Sequence, residues 1–337
     1  MNVLMLTYND WANTGYRFSR CLKHLGLNVT YFKGNLHKFN YPEQAAIHQA
    51  IAEKKPLAWF PVVVRVPELQ YLAKKADIIH FIASTLIDTG VDLRTKKVVV
   101  QHGGTTYRLE SEAVNKLFNQ FADAAIIQFP TLLGYGAKNE HLVYYPVDTD
   151  YIKPKDFNTC GKGKLIIGHF PSDWTAKGTK IIIDVLEKLK KTEYGKRFEY
   201  VGLQGLHNEQ IYWYENIERM RKCDVIIETI QPELRGKPFG EWGNTALEAA
   251  ALGKLVITNS IRQDIYKKEY NNIPPLFIAN DKEMLEQRIK EICDMPDAEI
   301  KERKMLHRDW AERYHSIPAT SGRLWETVYK NLINGAY

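Results

Sequence analysis

The stretch from Gly236 to Lys254, GKPFGEWGNTALEAAALGK, has the residue types of a nucleotide-binding loop that leads into a helix. Its glycines at 236, 240 and 243 leave the backbone bare. The N–H groups and the dipole at the start of a helix favour an anion such as phosphate. Glu248 lies one turn into the predicted helix, where its carboxylate can accept hydrogen bonds from two ribose hydroxyls. Phosphate and ribose together indicate a nucleotide-bearing ligand in the C-terminal half of the chain.

A second strand, loop and helix layout occurs at Ile167–Thr179, IGHFPSDWTAKGT, with Lys177 at the apparent start of the helix. A lysine in this position can neutralise a diphosphate that also contacts the amides of Asn244 and Thr245. Ser172 can donate a hydrogen bond to the same phosphate. A surface lysine beside a helix cap is the alternative, and we favour it less because the two layouts match.

Gly15 and His102 are the candidate site residues of the N-terminal half. Gly15 lies where the loop after the first predicted strand turns into a helix, and a bare backbone there permits close approach to a ligand. An ordinary helix-start turn is the alternative. His102 follows the strand KVVVQ and precedes two glycines, so its imidazole is expected at the carboxyl end of a strand, facing a ligand cleft. A structural histidine is the alternative, and Arg108 beyond it can pair with an anion or cap the next helix.

Several other motifs are excluded or explained without chemistry. Asp148-Thr149-Asp150 spells DxD, a metal-binding pattern in some transferases, but turn chemistry beside two prolines explains it, so we predict no metal. The four cysteines are far apart and form no CxxC pair, which predicts neither a zinc site nor a disulfide framework and favours a reducing cytoplasm. The chain lacks a P-loop, a GxSxG elbow and an HExxH motif, and the first strand lacks the GxGxxG of a dehydrogenase.

Short apolar runs alternate with helical segments in two successive series. Runs that are apolar on both faces fit parallel strands covered by helices, so the two series predict two doubly wound α/β domains. Ligands of such sheets bind at the carboxyl ends of the strands, and we expect the active site in a cleft between the domains. The boundary is predicted between Pro146 and Lys164. The predicted strands are Asn2–Thr7, Asn28–Phe32, Ile78–Ile82, Lys97–Gln101, Ala124–Gln128, Leu165–His169, Phe198–Val201, Val225–Glu228, Leu255–Thr258 and Pro275–Phe277, and the predicted helices include Tyr16–Leu25, Ser111–Phe121 and Ser321–Ile333.

Composition and charge are those of an ordinary globular protein of two domains. The chain has 337 residues, a hydrophobic fraction of 45% and no apolar run near the ~20 residues that span a bilayer. The N-terminus is interpreted as a first strand and not as a signal peptide, which predicts a cytoplasmic protein. The net charge of +6 is interpreted as solvated faces, with attraction to anionic ligands or to the inner membrane surface as the alternative. No basic cluster is dense enough to argue for nucleic acid.

Together these segments resemble the GT-B glycosyltransferases, specifically the retaining family-four group that uses nucleotide sugars. The resemblance covers nearly the whole chain, and the order and spacing of its segments make it specific. It implies an N-terminal Rossmann-like acceptor-binding domain at 1–150, a nucleotide-sugar-binding domain at 151–318, and a final helix at 319–337 that crosses back to the first domain. The segments are the Gly15 loop, ADIIHF at 76–81, QHGG at 101–104, FADAAII at 121–127, YPVDTDYIKP at 145–154, HFPSDWTAKGT at 169–179 and GNTALEAAALGKLVI at 243–257.

The resemblance also implies an activity and residue roles. A sugar would move from a nucleotide diphosphate, UDP or GDP, to a hydroxyl acceptor with retention of configuration and without a metal or other cofactor. Lys177 would bind the diphosphate with the amides of the glycine-rich loop, and Gly15 would let a first-domain loop approach it. Glu248 would bind the ribose. His102 would lie beside the transferred sugar.

The chain departs from the family pattern at two places. The family commonly has two glutamates separated by seven intervening residues; Glu248 matches the second, but the first falls on Gly240, with Glu241 one place along. Glu241 is retained as a catalytic candidate that reaches the sugar through a shifted loop. The family often has an arginine before the phosphate lysine, which is absent here, and Arg235 or Lys237 would compensate.

The acceptor, a glycan or a lipid-linked or other hydroxyl compound, is expected at loops of the N-terminal domain. These loops follow Thr7, lie near His37–Ala58, and surround Ser84–Asp92. Two other functions stay open at this point. One is a sugar-nucleotide epimerase of the same fold, which needs acid and base groups beside the sugar. The other is a catalytically silent subunit that only binds a nucleotide sugar.

Overall fold

The computed structural model describes residues 1–35, 46–47, 67–161, 163–202 and 212–337. It divides into two compact units: unit 1 contains residues 1–146 and 317–337, and unit 2 contains residues 147–316. The chain enters and leaves unit 2 at adjoining points, because the Val147 N–H donates to the carbonyl of His315 and Val147 pairs with Ser316 in a parallel bridge. Both points lie a few residues before the expected bounds at 150 and 318.

Unit 1 is built on a parallel sheet of seven strands in the order β3-β2-β1-β4-β5-β6-β7. Alternate residues of the first strand point into two different cores: Leu4 and Leu6 into one, Val3 and Met5 into the other. Burial on both faces explains why these strands are continuous apolar runs. The strands are β1 Asn2–Asn9, β2 Asn28–Asn35, β3 Ala46–Ile47, β4 Ile78–Phe81, β5 Lys97–His102, β6 Ala124–Ile127 and β7 Glu140–Leu142.

Three helices follow strands of this sheet: α1 Thr14–His24, α2 Pro67–Lys75 and α3 Gly104–Phe118, with 3-10 turns at Trp11–Asn13, Leu93–Thr95 and Pro130–Leu132. Helix α3 begins well before the predicted Ser111, because the chain turns directly from β5 into the helix. The turn places Gly104 at a φ of 70°, which favours glycine, and a Cβ at Gly103 would displace the side chain of Gln128. Arg108 is therefore a buried residue within the helix and not a cap before it.

Unit 2 repeats the architecture with a parallel sheet of five strands in the order β14-β13-β10-β8-β9. A separate antiparallel pair, β11–β12, precedes the helix after the glycine-rich loop. The last strand begins at Phe277 and not at the predicted Pro275, because proline has no N–H for the ladder. The strands are β8 Leu165–Gly168, β9 Phe198–Val201, β10 Val225–Ile227, β11 Glu233–Leu234, β12 Lys237–Pro238, β13 Leu255–Thr258 and β14 Phe277–Ile278.

The helices of unit 2 cover both faces of its sheet. Isoleucine, leucine and valine side chains from the strands form a core with the helices Thr179–Lys190 and Lys282–Asp294. The doubly wound fold predicted for both halves of the chain is thus confirmed. The helices are α4 Trp174–Lys177, α5 Thr179–Lys190, α6 Trp213–Arg221, α7 Asn244–Ala251, α8 Gln263–Tyr270, α9 Lys282–Asp294 and α10 Asp297–His315, with a 3-10 turn at Glu193–Lys196.

The C-terminal segment returns to unit 1, as the resemblance implies. It consists of α11 Ile317–Leu324, a π-helical turn at Trp325–Tyr329, and α12 Lys330–Ile333. The Ser321 hydroxyl donates to the carbonyl of Cys21 at 3.1 Å, and the Tyr329 hydroxyl bonds Nδ1 of His80 at 2.8 Å. No helix in the described ranges is long and apolar enough to cross a lipid bilayer.

Four of the fully buried histidines, His80, His102, His169 and His307, should make the protein sensitive to acid. Burial lowers the pKa of His80 and His102 to about 3, and that of His169 and His307 to about 4. The unfolded chain takes up protons near pH 6.5 while the native protein does not, so the free energy of unfolding falls as the pH drops below 6.5. We expect a loss of about 2 kcal/mol per histidine at pH 5, measured by denaturant unfolding from pH 7 to 5. A stability that is flat over this range would contradict the assignment.

Candidate functional site

The glycine-rich loop of unit 2 runs from the β11–β12 hairpin to the N-terminus of α7. Arg235 and Gly236 form the two-residue turn of the hairpin, with φ of 52° and 72°, as a type I′ turn requires. Arg235 and Lys237 are both exposed there. Gly243 is the N-cap of α7 and has no side chain to bond the first N–H groups of the helix. Those groups belong to Asn244 and Thr245, so the predicted helix start after the glycine-rich loop is present, and its binding of an anion stays a prediction.

Asn259, directly after β13, holds this loop in place. Its Nδ2 donates to the carbonyls of Gln231 and Phe239 at 2.7 and 2.6 Å, and its Oδ1 accepts the N–H of Glu241 at 2.8 Å. Sequence reasoning missed Asn259. Its position immediately after a predicted strand of the second series was the available signal.

Replacing Gly240 with alanine should disrupt the loop. The backbone φ at Gly240 is 107°, and an added Cβ would overlap the side chain of Asn259. Gly236→Ala is the matched control, because φ is also positive there but nothing lies within 4 Å of the new Cβ. We expect Gly236→Ala to lower the free energy of unfolding by about 1–2 kcal/mol. Gly240→Ala should cost about 1–3 kcal/mol more. If Gly240→Ala and Gly236→Ala have equal free energies of unfolding in urea, the proposed contact between Asn259 and the loop at Gly240 would be contradicted.

Lys177 forms an ion pair with Glu228, which follows the last residue of β10. Nζ of Lys177 donates to Oε1 of Glu228, and the two side chains are 18% and 3% exposed. Lys177 also lies over the ring of Phe239, 5.9 Å from its centroid. Sequence reasoning assigned Lys177 to the site but took Glu228 only as the end of a strand.

The Lys177–Glu228 pair lies against the N-cap of α7. A Cβ placed on Gly243 would be 2.8 Å from Oε1 of Glu228 and 3.7 Å from Nζ of Lys177. The backbone around Lys177 is tied to the residues after Glu228, because Thr229 Oγ1 and the Ile230 N–H both point to the Lys177 carbonyl at 3.4 Å. The structure thus brings together Lys177, Gly243 and the start of α7, as predicted, and adds a buried carboxylate.

Glu248 is buried in α7 and is oriented by an indole. Its Oε1 accepts a hydrogen bond from Nε1 of Trp213 at 2.8 Å. Trp213 in turn stacks on Tyr151, with ring centroids 5.7 Å apart, and meets Tyr214 edge to face. A carboxylate has about four acceptor positions, so the bond to Trp213 is compatible with the predicted ribose contact.

Two other predicted residues of this unit have different surroundings. Glu241 is fully buried with φ of 64°, and the Tyr266 hydroxyl points to its Oε2 at 3.4 Å. The structure therefore directs the Glu241 carboxylate toward α8, and its contact with a sugar stays a prediction. Ser172 is exposed beside Asp173, whose side chain caps α4 by accepting the Ala176 N–H.

The DxD motif at Asp148 and the predicted acceptor loop at Ser84–Asp92 make ordinary turn contacts. Asp148 accepts the Tyr151 N–H at 3.2 Å, which is the turn chemistry expected of it. Within Ser84–Asp92, Asp92 caps the 3-10 turn that follows. The predicted acceptor segment His37–Ala58 lies outside the described residues except for 46–47.

In unit 1 the buried carboxylate of Asp10 organises the loop after β1. Asp10 is buried and accepts the N–H groups of Gly15 and Tyr16 at 2.7 and 3.1 Å, and the Tyr31 hydroxyl at 2.5 Å. Burial raises the pKa of Asp10. A Cβ on Gly15 would lie 2.8 Å from the Tyr31 ring, so the close approach that Gly15 permits here is to Tyr31. Its contact with a diphosphate stays a prediction.

His102 ends β5 inside the core of unit 1. Its ring stacks on Tyr107 with centroids 4.2 Å apart, and its Nδ1 bonds Oγ of Ser84 at 2.9 Å. Nε2 is buried and has no hydrogen-bond partner among the described residues. With its pKa lowered to about 3 by burial, His102 is neutral near pH 7. Its contact with a sugar hydroxyl stays a prediction that requires Nε2 to become accessible.

Comparison with known proteins gives similarity in structure only. No protein-family model matches the sequence, and no curated protein is significantly similar to it. A glycosyltransferase from Rickettsia africae is similar in structure, with a TM-score of 0.64 and 16% identity over 98% of each chain. HepE from Anabaena, solved with UDP-glucose, has a TM-score of 0.59 and 13% identity over 98% of this chain and 100% of that one. A putative UDP-N-acetylglucosamine 2-epimerase from Listeria monocytogenes has a TM-score of 0.53 and 11% identity over 99% and 97%.

These likenesses extend over nearly the full length of each chain, although identity is low. Together with the two parallel sheets, they show that the chain has the GT-B fold.

Proposed function

We propose that this protein is a glycosyltransferase that moves a sugar from a nucleotide diphosphate to a hydroxyl group of a glycan, lipid-linked or other acceptor, with retention of configuration. The observation that carries the proposal is the grouping of Lys177 with the glycine N-cap of α7, in the same unit as the buried carboxylate of Glu248. A cation and a helix N-terminus suit a diphosphate, and a carboxylate suits ribose hydroxyls. The complex of the structural neighbour HepE with UDP-glucose supports a donor of this class.

The residues of unit 2 would serve as electrostatic groups in the reaction. The acceptor oxygen attacks the anomeric carbon while the bond to the diphosphate breaks, and negative charge grows on the departing phosphate. Lys177 has three N–H donors and Glu228 accepts from one of them, so two can face the diphosphate. The N–H groups of Asn244 and Thr245 add the positive end of the helix dipole. These groups supply the positive charge at the phosphate, which is why we propose that the donor binds without a metal.

Retention is proposed with attack on the same face from which the diphosphate leaves. A double displacement would need a carboxylate nucleophile placed at the anomeric carbon. The Glu241 carboxylate, which the resemblance offered for the sugar, faces Tyr266. We therefore favour the single same-face step.

An epimerase of the same fold is the second candidate. It is favoured by the likeness to a putative epimerase and by the buried carboxylate of Glu228, since epimerisation needs an acid or base beside the sugar. Product analysis separates the candidates: nuclear magnetic resonance of a reaction with donor and an acceptor mixture would detect a new α- or β-glycoside, an epimerised donor, or neither. A glycoside with the donor's anomeric configuration supports our proposal. An inverted glycoside would contradict retention, and an epimerised donor would favour the epimerase.

A further inference from the structure

Glu228 is the carboxylate that the structure adds to the predicted donor site, and contacts with a neighbouring strand and with Lys177 fix its position. Its side chain is 3% exposed, and its backbone N–H is held by the carbonyl of Ile257 on the neighbouring strand. Oε1 is bonded to Lys177, while Oε2 has no hydrogen-bond partner among the described residues. Because Oε2 accepts no hydrogen bond within the described ranges, a ligand hydroxyl that reaches it would form a charge-assisted hydrogen bond.

The glycine-rich loop leaves room for this carboxylate. Any side chain at position 243 would press on Oε1 of Glu228, because even a Cβ there would lie 2.8 Å away. Glu241, the nearest carboxylate in the loop itself, faces Tyr266. Glu228 is thus the acidic group that lies beside the N-cap of α7 and the phosphate lysine.

The partner of Oε2 must be a hydrogen-bond donor and not an anion. A diphosphate bound to Lys177 would repel the Glu228 carboxylate, so the phosphate cannot be what this oxygen recognises. The sugar attached to that phosphate carries hydroxyl donors a few bonds away. A carboxylate fixed by a lysine on one oxygen can accept such a hydroxyl on the other.

We infer that Glu228 is a specificity residue that accepts a hydrogen bond from a hydroxyl of the transferred sugar, with its orientation set by Lys177. This inference rests on the proposed function, because it takes the ligand of unit 2 to be a nucleotide sugar. It assigns to Glu228 the recognition of the sugar and leaves the nucleotide to Lys177, α7 and Glu248.

The test compares each nucleotide with its sugar conjugate by calorimetry, using UDP with UDP-glucose, UDP with UDP-N-acetylglucosamine, and GDP with GDP-mannose. For the pair that wild type binds, Glu228→Gln should keep the nucleotide affinity within about threefold, or raise it, because a like charge is removed. The affinity for the nucleotide sugar should fall about tenfold or more, as for loss of a charged hydrogen bond. Glu199→Gln, at an exposed position on β9 of the same unit, is the control and should leave the difference between nucleotide and nucleotide sugar unchanged.

Other outcomes would overturn the inference. Equal losses for nucleotide and nucleotide sugar would mean that Glu228 acts only through Lys177 on the diphosphate. Unchanged affinities would mean that the pair is structural. If wild type binds none of these compounds and none of the other UDP-, GDP-, ADP- and CMP-sugars, the proposed function fails along with the inference, which is distinct from a wild type that binds one of them normally. If Glu228→Gln does not fold, Glu228→Asp keeps the charge but withdraws the carboxylate, and it should show the same selective loss for the sugar conjugate.

Discussion

Replacing Lys177 with alanine is expected to lower the turnover of the donor by about 10²–10³-fold, the effect seen when one donor to a developing anion is removed. Nζ of Lys177 lies beside the N-cap of α7, where the leaving phosphate is proposed to bind. The steady-state rate of nucleotide release measures the effect. Lys180→Ala is the matched control, since Lys180 is an exposed residue of α5. Near-normal kinetics in Lys177→Ala, or an equal loss in Lys180→Ala, would contradict the role of Lys177.

In Lys177→Ala, a lower turnover caused by reduced stability must be distinguished from a lower turnover caused by the loss of the lysine at the diphosphate. Removing Lys177 leaves Glu228 as a buried charge without its cation, which destabilises a protein more than replacing both partners with neutral groups of similar shape. The double variant Lys177→Met with Glu228→Gln should therefore recover much of the melting temperature while its turnover stays low. Recovery of turnover together with stability would show that Lys177 acts only on folding.

Disrupting the buried ion pair between Asp224 and Lys304 should destabilise unit 2 by about 3–5 kcal/mol. Nζ of Lys304 bonds Oδ1 of Asp224 at 2.7 Å, and both side chains are at most 1% exposed. The same carboxylate accepts the N–H groups of Cys160 and Ile166 at 2.7 and 2.9 Å. Asp224→Ala would leave the buried Lys304 ammonium without its counter-ion and two partly buried backbone N–H groups without this acceptor.

Unfolding in denaturant, followed by circular dichroism, measures this effect. Lys304→Met should be similarly destabilised, because it leaves the Asp224 charge buried and without its cation. Lys301→Met, an exposed position on the same helix, is the matched control and should change the free energy of unfolding by no more than about 0.5 kcal/mol. A loss below about 1 kcal/mol in both buried variants would contradict the assigned role of the pair.

Much of the fold could be predicted because the buried strands are dictated by local pattern. The predicted strands Phe198–Val201 and Leu255–Thr258 match the structure at both ends. Apart from the exposed Glu199, their residues are aromatic, aliphatic or β-branched and are bounded by polar residues and glycine, so the sequence alone identifies them. The predicted helix Ser111–Phe121 starts seven residues after the observed start of α3 at Gly104, because the two glycines there have low helix propensity.

The candidate site was only partly predictable. Glycine-rich loops and the lysine before Gly178 are recognisable locally, because each needs a bare backbone or a helix start. The Lys177–Glu228 pair joins residues on two different strand-to-helix connections, and only the parallel order of β8 and β10 brings them together. The direction of the Glu241 side chain depends on a positive φ that Asn259 helps to impose, which residue type does not reveal.

The central claim, that unit 2 binds a nucleotide sugar at Lys177 and the glycine-rich loop, is tested most directly by a donor screen. Thermal shift and nucleotide release would be measured with UDP-, GDP-, ADP- and CMP-sugars without added metal, for wild type and Lys177→Ala. We expect a selective shift with one donor and slow release of nucleotide into water, and the loss of both in Lys177→Ala. No shift with any donor, or an equal shift in the variant, would contradict the claim.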